Sequence, residues 1–129
     1  MAVVYTEKDR RMVRNYIERK ESERETALSA RLGQARKDFA TIVAYIITKH
    51  NPKRIYQWGS LIDGSHFSEI SDIDIALEGV TDPADFFKLL GAAEKMTDLP
   101  LDIIQLDYVH PAYADGIRAH GRLVHERKD

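Results

Sequence analysis

Between Leu28 and Ile46 the apolar positions recur at alternating steps of four and three: Leu28, Leu32, Ala35, Phe39, Ile42, Ile46. That is the stripe of a helix with one covered face. It predicts a helix ending near His50, because Asn51-Pro52 follows and the residue before a proline avoids helical backbone. Upstream, Thr6-Glu7-Lys8-Asp9 has the form of a capping residue followed by early acids, and Met12, Val13, Tyr16 and Ile17 give a second, short stripe. A charged run at 18–25 joins the two stripes, and Gly33 interrupts the regular one, so the pattern leaves one rod or two open. The early stripe either folds back on its own domain or meets a partner.

Beyond Pro52 the pattern changes to short apolar runs. Lys53 to Trp58 predicts a strand leaving through Gly59-Ser60, and Ser71 to Leu77 a second after a polar connector. Thr81-Asp82-Pro83 predicts a helix start, with Phe86, Phe87, Leu89, Leu90 and Ala93 as its buried face. A third strand follows Pro100 (L-D-I-I-Q-L), then a helix from Pro111 to Ala119 stopped by Gly121, and a short strand at Leu123 to His125. These elements predict an α+β fold: a small mixed β-sheet with helices packed on it and an N-terminal helical extension. The expected division is 1–34 for the extension and 35–129 for the domain.

Composition narrows the function classes. A chain of 129 residues suits one domain with a core of its own. With no cysteine there is no disulfide framework and no thiolate nucleophile or metal site. The N-terminus turns charged at once and no stretch reaches transmembrane length, so a cytoplasmic, membrane-free protein is expected. Net charge is −2, but residues 1–50 carry eleven basic against seven acidic side chains and residues 51–129 eight against fourteen. Because both signs alternate along the first segment, a solvated helix is favoured over a nucleic-acid arm.

The chemistry gathers between Ile55 and Leu77. Asp72 and Asp74 are two apart in an apolar strand pattern, which puts both carboxylates on one face and Ile73 and Ile75 on the other. Adjacent acids repel, and a hard divalent cation with oxygen ligands is the natural offset. Gly59-Ser60 offers a turn where backbone can approach an anion closely. Asp102 interrupts the third strand; by itself it reads as a salt bridge or a cap at the strand end. Asp107 reads as a turn residue, Trp58 as core and His66 as a surface group. His110, His120 and His125 lack ligand spacing for zinc, and Gly64-Ser65-His66 lacks the setting of a hydrolase elbow.

Strand, Gly59-Ser60, a connector and Asp72-x-Asp74 in a strand together resemble the signature of the polymerase-β-like nucleotidyltransferases, and over roughly Phe39 to Glu126 the chain looks most like the minimal nucleotidyltransferase (MNT) family. The resemblance implies the nucleotidyltransferase fold for 35–129. It further implies that Asp72, Asp74 and Asp102 hold two Mg²⁺ ions, that Gly59 and Ser60 grip a triphosphate, and that a nucleoside monophosphate passes from an NTP, AMP from ATP first, to a hydroxyl acceptor. Minimal members pair with small helical HEPN proteins as toxin and antitoxin, which implies such a partner here; a homo-oligomer through the N-terminal helices is the other contact considered. Where many members carry a cation just after Gly-Ser, this chain has Leu61, Ile62 and Asp63. Lys53, Arg54, Lys88, Arg118 and Arg122 remain as sources of phosphate-binding charge. Asp63 and the N-terminal stripe motivate a second reading, an inactive module that neutralises a helical partner by docking; a nucleotide sensor without turnover is a third.

Overall fold

The computed structural model describes residues 4–62, 64, 67–68 and 71–128. Asp63, Ser65 and His66 therefore lie outside the described residues. One helix, α1, runs unbroken over Glu7–His50, which at 1.5 Å per residue is about 66 Å long. The Thr6 hydroxyl accepts from the Asp9 N–H and the Asp9 carboxylate accepts from the Thr6 N–H, so both ends of a capping box are closed. Gly33 does not break the helix. A Cβ at Gly33 would meet nothing within 4 Å, so the residue marks no close approach. The helix stops where Asn51 turns left-handed (φ 45°) ahead of Pro52.

The rest of α1 divides by what covers it. Ala35, Ile42 and Ile46 are fully buried, and Leu28, Leu32 and Phe39 are partly so. Residues 10–27 are exposed throughout. Met12, Val13, Tyr16 and Ile17 are thus not folded back on the domain; they are 48–61% exposed. This answers the first of the two options for the early stripe.

Four strands follow in the sheet order β3-β2-β1-β4: β1 Arg54–Trp58, β2 Ile73–Glu78, β3 Leu101–Gln105 and β4 Arg122–Glu126. β1 pairs antiparallel with β2 and with β4, whereas β2 and β3 are parallel. The sheet is therefore mixed. The β2–β3 crossover is α2 (Pro83–Glu94), capped by Asp82 accepting from the Asp85 N–H, with Pro83 in the first turn. α3 (Pro111–His120) links β3 to β4.

Each strand splits its side chains between two layers. Ile55, Ile73, Ile75, Leu77 and Ile103 pack with α1 and α2, through Ile42, Ile46, Leu89 and Ala93. Tyr56, Ala76 and Ile104 face the other way, under Ala114 and Ile117 of α3. Phe87 is the one miss in the expected face of α2: it is 70% exposed. Leu89, Leu90, Ala93 and Phe86 share one side at steps of three and four, and Phe87 lies 100° round from Phe86.

Three ion pairs tie the α3 side together. Buried Glu78 accepts from Arg118 Nε at 2.8 Å and from Arg54 Nη1 at 2.9 Å, and Arg54 Nε reaches Glu126 at 2.6 Å. At α1, buried Asp38 is held by Gln34 (2.7 Å) and Thr97 (2.7 Å). Neither acid was singled out by the sequence pattern. Each looks like a surface charge until the partner across the fold is known.

Candidate functional site

Asp74, Asp102 and Gly59 come together at one end of the sheet. Asp74 lies opposite Trp58 across the β1–β2 ladder and opposite Asp102 across the β2–β3 ladder. Two acids therefore stand side by side on adjacent strands, with backbones about 4.8 Å apart. The two-residue period puts them on the α3 face, below Ala76 and Ile104. Asp72 lies one residue before β2, which begins at Ile73. Strand pairing does not set its orientation, yet it is close enough to act on Asp74 electrostatically.

Asp74 carries the strain of this arrangement. Its carboxyl is buried and pushed up to about 6, first by burial, then by the charges of Asp102 and Asp72. No described cation relieves it. Gly59 closes the site from the side: its φ is 79°, and a Cβ there would overlap the Asp74 carboxylate. Glycine is required here twice over, by backbone conformation and by space. After Gly59 the chain winds at once: Ile62 N–H donates to the Gly59 carbonyl (3.4 Å) and Gly64 N–H to the Ser60 carbonyl (3.3 Å). Those two bonds begin at Gly59, the residue folded against the Asp74 carboxylate, and at Ser60 next to it.

The donor set fits a hard divalent ion: carboxylate oxygens, one of them raised by its like-charged neighbours. Among the described residues, no three His, Asp or Glu side chains already converge on a single metal position. Carboxylates that repel one another spread apart, and a bound cation would reverse that repulsion.

Of the five candidate phosphate cations, two are held in ion pairs. Arg54 and Arg118 are held by Glu78, with Glu126 and Asp115 as their second partners. Arg122 lines a groove with Phe39, Val43 and Gln57, on the face toward α1. Lys53 and Lys88 are exposed. Asp107 acts at a turn, accepting from the Gly79 N–H at 3.1 Å. His110 caps α3, its Nδ1 accepting from the Ala112 N–H.

Beside Gly59 the sheet end opens into a cleft of about 280 Å³ against α3. Trp58, expected in the core, is only partly buried at its wall and meets the Tyr113 ring edge to face, with centroids 6.3 Å apart. Sequence reasoning missed the α3 residues of this cleft. The available signal was the small residues at steps of four, Ala112 and Gly116, which leave one side of a helix hollow.

The molecule is thus an α+β fold whose mixed sheet carries acids in register on two strands, with Gly59 folded against one of them. Chains from solved toxin–antitoxin structures share the fold. A chain of a toxin–antitoxin crystallised with AMP-PNP superimposes with a TM-score of 0.55 at 21% identity, over 68% of this chain and 73% of that one. A chain of the MntA–HepT toxin–antitoxin gives 0.54 at 17% identity, over 71% and 73%. A mutant of that toxin–antitoxin gives 0.56 at 17% identity, over 70% and 74%. At these identities the likeness establishes the fold, and it is the fold that the resemblance to minimal nucleotidyltransferases implies. No family profile matches the chain, and no curated protein does.

Proposed function

We propose that the chain is a Mg²⁺-dependent minimal nucleotidyltransferase that moves AMP from ATP to a hydroxyl on a helical HEPN-type partner, acting as the antitoxin of the pair. The observation that supports this most is the registered pair Asp74–Asp102 with Gly59 folded directly against Asp74. Like charges side by side, one of them buried, are costly unless something balances them, and a turn shaped to admit an anion stands beside them. The likeness to toxin–antitoxin chains, one of them crystallised with AMP-PNP, supports the choice of nucleotide and partner.

In this reading Asp72, Asp74 and Asp102 hold the metal, and Gly59 and Ser60 grip the phosphates through backbone N–H groups and the serine hydroxyl. Bound there, divalent ions would lower the acceptor hydroxyl's pKa and neutralise the triphosphate. Gly59 keeps the turn close enough for phosphate and carboxylates to share one set of charges. Ile73, Ile75 and Ile103, buried behind the acids, hold the two strands in register. Residues 1–34 serve as the extension that presents the domain to its partner.

The test is transfer of labelled AMP from ATP to the partner purified with the chain. Label on the partner is expected with wild type and Mg²⁺, and none with Asp72→Asn/Asp74→Asn. Undiminished labelling by that double variant would overturn the assignment. The exposed stripe Met12, Val13, Tyr16 and Ile17 favours a second reading, neutralisation by docking alone. In that case the double variant would still neutralise the partner, with no label transferred even by wild type.

A further inference from the structure

We infer that the cleft between the end of β1 and α3 is the nucleobase subsite, taking the flat ring of an NTP whose phosphates lie at Gly59. The inference rests on the nucleotidyltransferase reading and adds the part of the substrate that this reading leaves unplaced. Gly59 is a wall of the cleft and also the residue folded against Asp74, so a single ligand can touch both. The cleft measures about 280 Å³. Pockets that enclose a whole drug-sized ligand run from about 300 to 1,000 Å³, so this one has room for a ring system and leaves the phosphates outside.

The walls suit a base. Trp58 and Tyr113 stand edge to face at one side, Ile117 gives an apolar surface, and His120 adds a polar edge. Aromatic faces hold any base by stacking, with little sequence preference. Gly116 matters most for testing: a Cβ at that position would meet nothing within 4 Å. The helix therefore stays open where any side chain would begin to fill the space. Glycine inside a helix is a poor helix former, so its presence in α3 asks for a reason, and an open cleft supplies one.

Trp58 is the only tryptophan of the chain, so its emission reports on the cleft directly. The full-length protein is titrated with Mg²⁺-ATP and, separately, with Mg²⁺-tripolyphosphate, following both Trp58 emission and heat. Wild type is expected to bind both, ATP about tenfold more tightly, which is the scale of one stacked base. Only ATP should change the emission. Gly116→Leu, which fills the cleft with a better helix former, should lose the preference for ATP and keep the affinity for tripolyphosphate. ATP affinity in Gly116→Leu within twofold of wild type, or equal emission changes with both ligands, would overturn the subsite. Failure of wild type to bind either ligand would instead overturn the nucleotidyltransferase reading beneath it.

Discussion

Gly59 concentrates most of the local constraint at the residue scale. With φ at 79° and the Asp74 carboxylate where a Cβ would stand, Gly59→Ala is expected to lower stability by about 1–3 kcal/mol, the range for a non-glycine residue forced into left-handed backbone. Urea unfolding measures this, and an unchanged midpoint would contradict the described turn. Glu78 gives the pH dependence. Burial pushes its carboxyl up, but hydrogen bonds and charge from Arg118 and Arg54 outweigh that, and its pKa lies below the ordinary 4.5. A carboxyl depressed in the folded state contributes stability above its unfolded pKa and loses it as pH falls through the folded one. Glu78→Gln should therefore cost about 1–3 kcal/mol at pH 7. The gap to wild type should close as pH drops below 4.5, read by thermal unfolding across pH. The face that Asp74 takes was legible in the sequence because the strand period is local, whereas Asp72 lies one residue before β2 and outside that period. Glu78, Asp38 and the Trp58–Tyr113 contact were not legible, since each takes its meaning from an element far along the chain.

At the scale of elements, the α1 and α2 stripes were legible and their limits were not. The repeat from Leu28 to Ile46 named the covered face correctly, since periodicity records burial. The same repeat could not say that the charged run and Gly33 continue one rod, because a solvated helix needs no apolar mark. Phe87 shows the reverse error: counting apolar residues placed it inside, whereas helical geometry turns it outward. The cover on α1 yields a paired expectation. Deleting residues 1–26 removes, among the described residues, only the helix cap and uncovered turns of α1, so Tm should move by no more than about 4 °C. Ile46→Ala, in contrast, empties a fully buried site and should cost about 2–5 kcal/mol. A truncated chain that fails to fold would show that the arm carries stability the described contacts do not.

Over the whole molecule, the mixed sheet gives the site its form. The parallel β2–β3 pair brings Asp74 and Asp102 to one level, and the antiparallel β1 delivers Gly59 beside them. The elements themselves could be read from the chain. Their pairing was carried by the resemblance, since strand register is a property of the assembled sheet. No helix is long and apolar enough to cross a membrane among the described residues. The partner-facing role proposed for residues 1–34 rests on the exposed side chains of Met12, Val13, Tyr16 and Ile17. The most direct test of the whole is calorimetric binding of Mg²⁺-ATP to wild type and to Asp74→Asn/Asp102→Asn, with circular dichroism to show both folded. Metal-dependent binding by wild type and its loss in the variant are the expected result; equal binding by the two, or binding that ignores the metal, would contradict it.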